Sequence, residues 1–290
     1  MERVPAIGLV ATGAISVQFG AAFATRLFSR VGPAGAVTLR LVVAAVVLLG
    51  AARLSHTRLR LGSAGDRAVV VAFGLVLAGM NVSFYEAIAR IPLGVAVTLE
   101  FSGPLALALA GSRRWADALW AAAAGAGVAL LATGAGRRLD PVGILFALIA
   151  GALWVGYILL SKETGARFES LSGLTWAMVV GAVASLPFGL SAGQSRLLDP
   201  AVVGLGLLVG VISSVIPYSL ELQALRRVTP RAFGVMMSLD PAFATAAGFL
   251  VLRQQLDLQE WLALGLVVLA NLGNALGGTP DRPRINPGAS

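Results

Sequence analysis

Long apolar segments recur along almost the whole chain, and this feature limits the possible folds more than any other. Each segment is about 20 residues long, which is the length that an α-helix needs to cross a bilayer. The segments consist mainly of Leu, Ala, Val and Gly, without the strict alternation of membrane β-barrel strands. Only 12% of the residues are charged, which gives too little polar surface for a soluble domain. The sequence therefore predicts an all-α integral membrane protein.

Glycines, prolines and charged clusters divide the apolar sequence into ten predicted transmembrane helices. We place these spans at residues 4–25, 34–52, 67–88, 93–111, 116–135, 141–161, 172–190, 200–221, 231–252 and 258–277. The tail at 278–290 is rich in Pro, Gly and Asn, and we expect it to be a disordered cytoplasmic segment.

The distribution of Lys and Arg predicts the orientation of these spans. With Arg40 assigned to a helix and the N-terminus placed in the cytoplasm, the inner segments hold 14 basic residues and the outer segments hold 7. An excess of positive charge is typical of cytoplasmic loops, so we expect both termini in the cytoplasm. The net charge of +8 arises from these short loop clusters and does not indicate a nucleic-acid partner.

The two halves of the chain resemble each other. Pro104 matches Pro241 at an offset of 137 residues, and Gly20 matches Gly156 at an offset of 136. These matches predict an internal repeat. With five helices in each half, the second half is expected to be inverted relative to the first, as in many transporters. The two predicted five-helix repeats cover residues 1–137 and 138–277.

Two acidic residues lie close to prolines inside predicted spans. A charge at a helix centre costs about 2.5–3.5 kcal/mol on insertion scales. Pro104 lacks the N–H that would bond to the carbonyl of Glu100, and Gly103 weakens the helix further. Asp240 directly precedes Pro241 in the ninth span. Interrupted helices in two inverted halves indicate a carrier's binding site; the alternative is a packing kink with a hydrogen-bonded acid.

Glu100, Asp240 and Glu221 are the predicted proton-coupling residues. Because burial favours the neutral form of a carboxyl group, such a residue can take up an external proton and release it inside. Exchange of this proton for an outgoing solute would couple export to the proton gradient. For Glu221, anchoring at the membrane interface is an equally open interpretation. We expect Arg40 to reach the interface or to form a structural pair, with an acid or a substrate carboxylate as the alternative partner. Glu86 is expected to reach water at its helix end.

Polar and aromatic side chains in the first, third, sixth and eighth spans predict a cavity lining. Asn81 and Tyr85 lie on one helix face, as do Trp154 and Tyr157. Amide, phenol and indole groups can bind the amino and carboxyl groups of a zwitterion; hydrogen bonding between helices is the alternative. The predicted substrate-binding residues are Gln18, Asn81, Tyr85, Glu100, Trp154, Tyr157, Ser214, Tyr218 and Asp240.

The residue types also argue against several classes of function. The chain has no cysteine and a single histidine, so thiol chemistry and Cys/His metal sites are excluded. We find no P-loop and no dinucleotide fingerprint, and we predict no cofactor and no metal. An integral membrane enzyme would need clustered Asp or His ligands, so we predict that the protein is not an enzyme. Gly206 and Gly210 allow close helix packing, which leaves a homodimer possible.

Several short stretches are more specific than the composition. They are Gly79-Met80-Asn81, Leu99-Glu100-Phe101 followed by Gly103-Pro104, and Pro217-Tyr218-Ser219-Leu220-Glu221. Through them the chain resembles the EamA-type branch of the drug/metabolite transporter superfamily, and within it the bacterial threonine/homoserine exporters. The resemblance implies ten helices in the bacterial inner membrane and export of threonine, homoserine or similar amino acids by proton antiport. Asp240 stands where the family pattern has glutamate, and export of drugs or other metabolites remains the alternative.

Overall fold

In the computed structural model, every regular element of the described residues is a helix. The structure describes residues 6–57, 59–110, 115–133, 139–169, 171–225, 237 and 239–277. The α-helices are α1 (Ala6–Leu54), α2 (Ala64–Ile88), α3 (Leu93–Glu100), α4 (Ser102–Ala110), α5 (Trp115–Thr133), α6 (Pro141–Arg167), α7 (Ser172–Gly193), α8 (Pro200–Gly210), α9 (Ile216–Leu225), α10 (Asp240–Leu252) and α11 (Leu258–Gly277). A 3-10 turn (Gln194–Leu198) precedes α8, and a π-helical turn (Val211–Val215) joins α8 to α9.

Many of these helices are apolar enough to lie in a bilayer. By length and composition, five helical segments of the described residues can cross a membrane, and four shorter apolar segments accompany them. Large apolar side chains such as Leu145, Phe188 and Phe249 are exposed on the outside of the bundle, as expected for a surface that contacts lipid. The prediction of an all-helical membrane protein agrees with these features. The count of ten spans, the inverted repeat and the position of the tail stay predictions.

The connection predicted between the first two spans differs from expectation. Residues 26–33 are not an open loop, because the helical backbone continues to Val31 and resumes after Gly32. Gly32 adopts a φ of 69°, a left-handed conformation that glycine reaches without steric cost. Pro33 follows at the start of the next helical arm. A single glycine is therefore enough to separate the two arms of α1, which the composition of the segment did not reveal.

Glycines allow the helices to pack closely around a buried interior. Gly74 of α2 lies against Val180 of α7, and Gly94 of α3 lies against Thr245 of α10. An added Cβ at any of these glycines would overlap the neighbouring helix. The second arm of α1 packs against α7 and α8, α2 packs against α6 and α7, and α5 packs against α11. These close contacts hold the helices that surround the site described next.

Candidate functional site

A cavity of about 590 Å³, partly continuous with solvent, lies among α1, α2, α3, α6, α9 and the start of α10. Its walls come from both predicted halves of the chain. Seven of the predicted substrate-binding residues line it: Gln18, Asn81, Glu100, Trp154, Tyr157, Tyr218 and Asp240. The other large or charged lining residues were not among the predicted substrate-binding residues; they are Arg40 and the apolar Met80, Phe84 and Met237.

The remaining predicted site residues lie elsewhere. Tyr85 and Ser214 are fully buried, and both contact Arg40 rather than the cavity. The side chain of Glu221 lies outside the described part of the structure. Residues far apart in the sequence thus meet in one chamber, with a second layer of hydroxyl groups behind it.

Of the positions that the sequence left open for Arg40, the structure favours a buried, hydrogen-bonded one over the membrane interface. Arg40 is only 3% exposed, so it does not extend to the membrane interface. Its Nε–H donates to Ser214 Oγ at 2.7 Å, and an Nη2–H donates to the Ser213 carbonyl at 2.5 Å. An Nη1–H donates to the Tyr85 hydroxyl at 3.2 Å, and the guanidinium carbon lies 5.5 Å from the centroid of that ring. Four contacts therefore fix a positive charge at the edge of the cavity.

The acceptors for Arg40 exist because the backbone is interrupted between α8 and α9. Pro217 has no N–H, so it cannot bond to the Ser213 carbonyl four residues earlier. The N–H of Ile216 bonds instead to the Val211 carbonyl, five residues back. This π-type turn frees the Ile212 carbonyl, which accepts from Ser16 Oγ at 2.6 Å. Such turns often occur at functional sites. Here the Ser213 carbonyl, which Pro217 leaves without its usual helix partner, accepts a hydrogen bond from Arg40.

Glu100 is the last residue of α3 and is 9% exposed. No other described side chain or backbone group donates a hydrogen bond to its carboxyl group. Arg40 is near enough to attract it electrostatically, but none of the ion pairs among the described residues involves either of them. A charged carboxyl group without such a partner is destabilising inside an apolar bundle. The position of Glu100 therefore suits a carboxyl group that binds a cation or a proton.

Asp240 is 2% exposed and is the first residue of α10. The sequence predicted a helix in the ninth span that is interrupted at Asp240 and Pro241. In the described residues Asp240 lies directly after a turn at Leu239, at the start of α10, with Pro241 inside the first turn. Proline is favoured there because the first N–H groups of a helix need no partner within it. The positive end of the helix dipole favours a carboxylate at this position.

The predicted helix break at Pro104 is present as a one-residue discontinuity. Phe101 separates α3 from α4, and Gly103 contacts Gly151 of α6 so closely that a Cβ on either would meet the backbone of the other helix. The ring of Phe101 packs edge-on against Trp154, with centroids 4.7 Å apart. This break therefore shapes the packing of α6 and one aromatic wall of the cavity.

Two further lining groups are oriented by local contacts. Asn81 donates from Nδ2 to the Leu77 carbonyl of its own helix at 2.7 Å, so this bond does not join two helices. Tyr157 and Tyr218 have ring centroids 5.9 Å apart and form a second aromatic wall. The cavity thus combines one cation, two carboxyl groups, two amides and four aromatic rings. Such a set can bind a small ligand with charges of both signs.

A second pocket, of about 610 Å³, lies at the helix ends that the charge bias predicts to face outward. Gln254 follows α10, and its Oε1 accepts from the Leu93 N–H of α3 at 3.0 Å. Gly94 and Thr245 pack together directly below this bond. Near the same pocket, Glu86 pairs with Arg90 four residues later, which agrees with its expected position at a helix end.

Comparison with known proteins places the chain in a family. The EamA-like transporter family model matches residues 141–275. The threonine/homoserine exporter RhtA of Escherichia coli (strain K12) is 38% identical over 263 residues, which cover 90% of this chain and 88% of that protein. The chain belongs to the EamA-like transporter family.

Other similarities agree with this membership. The threonine/homoserine exporter RhtA of Salmonella typhimurium (strain LT2) shows the same identity and coverage. The uncharacterized transporter YwfM of Bacillus subtilis is 29% identical over 136 residues, 47% of this chain and 46% of that protein. A protein of known crystal structure superposes with a TM-score of 0.65 over 93% of this chain and 96% of that one, at 20% identity. The protein is thus a multi-pass membrane protein whose fold is also found in a crystal structure.

Proposed function

We propose that this protein is a secondary active exporter of small amino acids of the threonine/homoserine type in the bacterial inner membrane. Two relatives that are 38% identical over nine-tenths of the chain are named threonine/homoserine exporters. The observation that carries the proposal is the cavity within an apolar helix bundle, where Arg40, Glu100 and Asp240 meet. A zwitterionic amino acid carries one charge of each sign, and this chamber offers partners for both.

The proposal includes ten spans in two inverted repeats, with both termini in the cytoplasm. The helix contacts support it. α3 packs against α10, and α5 against α11, and each pair joins elements at the same place in the two predicted repeats. The contact of α2 with α7 has its counterpart in the contact of the second α1 arm with α8. A two-fold axis between the halves would relate these pairs.

We further propose that export is coupled to proton entry at Glu100 and Asp240, with Glu221 as a third candidate. An ionised carboxylate attracts the ammonium group of the amino acid, while a protonated one does not. A proton that arrives from the outside would therefore release the substrate outward, and loss of that proton to the cytoplasm would restore the binding state. Exchange of this kind uses the proton gradient to drive export.

Inverted membrane vesicles test this coupling. Their interior corresponds to the periplasm, so an acidic interior should drive uptake of labelled L-threonine. We expect Glu100→Gln and Asp240→Asn to abolish the response to the imposed gradient, because neither amide can carry the proton. Glu163→Gln is the control, since Glu163 is exposed and pairs with Arg167 away from the cavity. Undiminished gradient-driven uptake by Glu100→Gln would refute its assignment.

Export of drugs or other metabolites is the second candidate. The aromatic rings of Trp154, Tyr157 and Tyr218 in the cavity wall favour it, because aromatic faces attract organic cations. Expression in a sensitive bacterial host separates the two. Better growth on threonine, homoserine or toxic amino-acid analogues supports the first candidate, whereas tolerance of a cationic dye alone supports the second.

A further inference from the structure

Among the residues that the structure describes, none supplies a counter-ion at contact distance to the arginine in the cavity wall. Arg40 is buried, and its three described hydrogen-bond acceptors are a hydroxyl group, a backbone carbonyl and a phenol. All three are uncharged. A buried charge without an opposite charge beside it is destabilising unless a ligand supplies one. The position therefore calls for a role beyond packing.

The geometry points to Arg40 as the residue that binds the carboxylate of the transported amino acid. A guanidinium group has five N–H donors in a planar fork. The described contacts use one on Nε and one on each terminal nitrogen. Two donors remain, one on each terminal nitrogen, and two N–H groups match the two oxygens of a carboxylate. This inference rests on the proposed function and assigns the substrate class as α-carboxylates.

The surroundings of Arg40 fit a fixed anion site. Ser214 and the Ser213 carbonyl hold two sides of the guanidinium group, and the ring of Tyr85 lies beside it. Gly20 of α1 packs against Ser213 with no space for a side chain, which keeps the first arm of α1 close to the π-type turn. The charge thus needs no rearrangement before it binds an anion, and pre-organised sites bind more tightly.

The opposite charges lie across the same cavity. Glu100 and Asp240 both line it with Arg40. A zwitterion can place its carboxylate on Arg40 and its ammonium group toward the two acids. Removal of the carboxylate charge from the substrate should therefore weaken binding even when the ammonium group is retained.

Competition by two matched compounds tests the inference on the unaltered protein. Labelled L-threonine uptake into inverted vesicles is measured with unlabelled L-threonine or L-threonine amide as the competitor. The amide keeps the ammonium and hydroxyl groups but has no carboxylate. We expect it to compete about tenfold more weakly or worse, as for loss of a hydrogen bond to a charged group. Equal competition by the two compounds would overturn the inference while leaving the proposed function intact.

Variants of Arg40 provide the second test of the inference. Arg40→Gln should weaken competition by L-threonine and leave the amide nearly unchanged, so that the two compounds become similar. Arg40→Lys should restore part of the preference for the carboxylate. Arg167→Gln, which alters an exposed arginine, should keep the full preference. An equal loss for both compounds in Arg40→Gln would assign Arg40 a structural role. No uptake of threonine by the unaltered protein would overturn the proposed function and the inference together.

Discussion

Two prolines interrupt helices beside the same cavity, and the liberated carbonyl is used differently in each case. Pro104 frees the carbonyl of Glu100, which lies against the backbone of Gly151 in α6. Pro217 frees the carbonyl of Ser213, which accepts a hydrogen bond from Arg40. The first interruption allows two helices to approach, and the second creates an acceptor for a buried charge. A proline within a helix therefore identifies a free carbonyl, but the neighbouring helix determines its use.

The largest expected effect concerns the packing interruption. In Gly151→Ala the new Cβ would lie 2.5 Å from the Glu100 carbonyl oxygen, and a backbone atom cannot move aside easily. We expect a loss of about 1–3 kcal/mol in the free energy of unfolding, seen as a lower midpoint of thermal unfolding in detergent. Gly204→Ala is the control, because a Cβ there meets nothing within 4 Å. Equal midpoints for the two variants would contradict the close contact.

The second prediction compares the two prolines directly. Pro217→Ala restores an N–H that competes with Arg40 for the Ser213 carbonyl, so the arginine should lose part of its support. We expect the apparent affinity for L-threonine to fall about tenfold. Pro104→Ala should change it by less than about threefold, because the Glu100 carbonyl has no charged partner among the described groups. Competition in inverted vesicles measures the affinity of both variants. Similar losses would show that the two interruptions do not differ in their effect on the site.

A smaller effect is expected at the hydroxyl group that accepts from Arg40. Ser214→Ala removes the 2.7 Å bond from Nε and leaves the Ser213 carbonyl in place. The apparent affinity for L-threonine should fall about fivefold, which corresponds to about 1 kcal/mol, the typical net contribution of one hydrogen bond. Ser191→Ala, an exposed serine in α7, serves as the control. Unchanged affinity in Ser214→Ala would show that the backbone carbonyl alone positions the arginine.

The smallest effect is expected at Tyr85. Tyr85→Phe removes the longest of the three described bonds, at 3.2 Å, but keeps the ring beside the guanidinium group. Because cation–π attraction persists, we expect an affinity loss of about twofold. Replacement by leucine removes the ring as well and should cost more. The same competition assay ranks the two variants. A larger loss for Tyr85→Phe than for the leucine variant would show that the hydroxyl group, and not the ring, supports Arg40.

The sequence was a good guide to the helices and a partial guide to the site. Spacing of apolar runs identifies membrane helices because lipid leaves few alternatives for the backbone. Seven predicted substrate-binding residues line one cavity, since polar groups inside apolar helices are rare and tend to face each other. For Arg40 the sequence left the interface and pairing open, because two of its acceptors, Ser213 and Ser214, lie 173 and 174 residues away. The same proline argument that was applied to Glu100 would have revealed the Ser213 carbonyl.

Other differences have local causes. The turn at Gly32 depends on one backbone angle, which no pattern of side chains reports. The interruption predicted near Pro241 has its turn at Leu239, and this exact position is also set by the backbone. Hydropathy is an average over many residues, so it does not detect a change of direction made by one.

The bond from Leu93 to Gln254 has a consequence for release of the substrate. It joins an amide oxygen to a backbone N–H, and both groups can be hydrated as soon as α3 and α10 separate. Such an exchange with water changes the free energy by only about 1 kcal/mol, and no ions are pulled apart. We therefore expect these two helix ends to separate at little cost in free energy, so that an opening here would not by itself slow the proposed transport cycle.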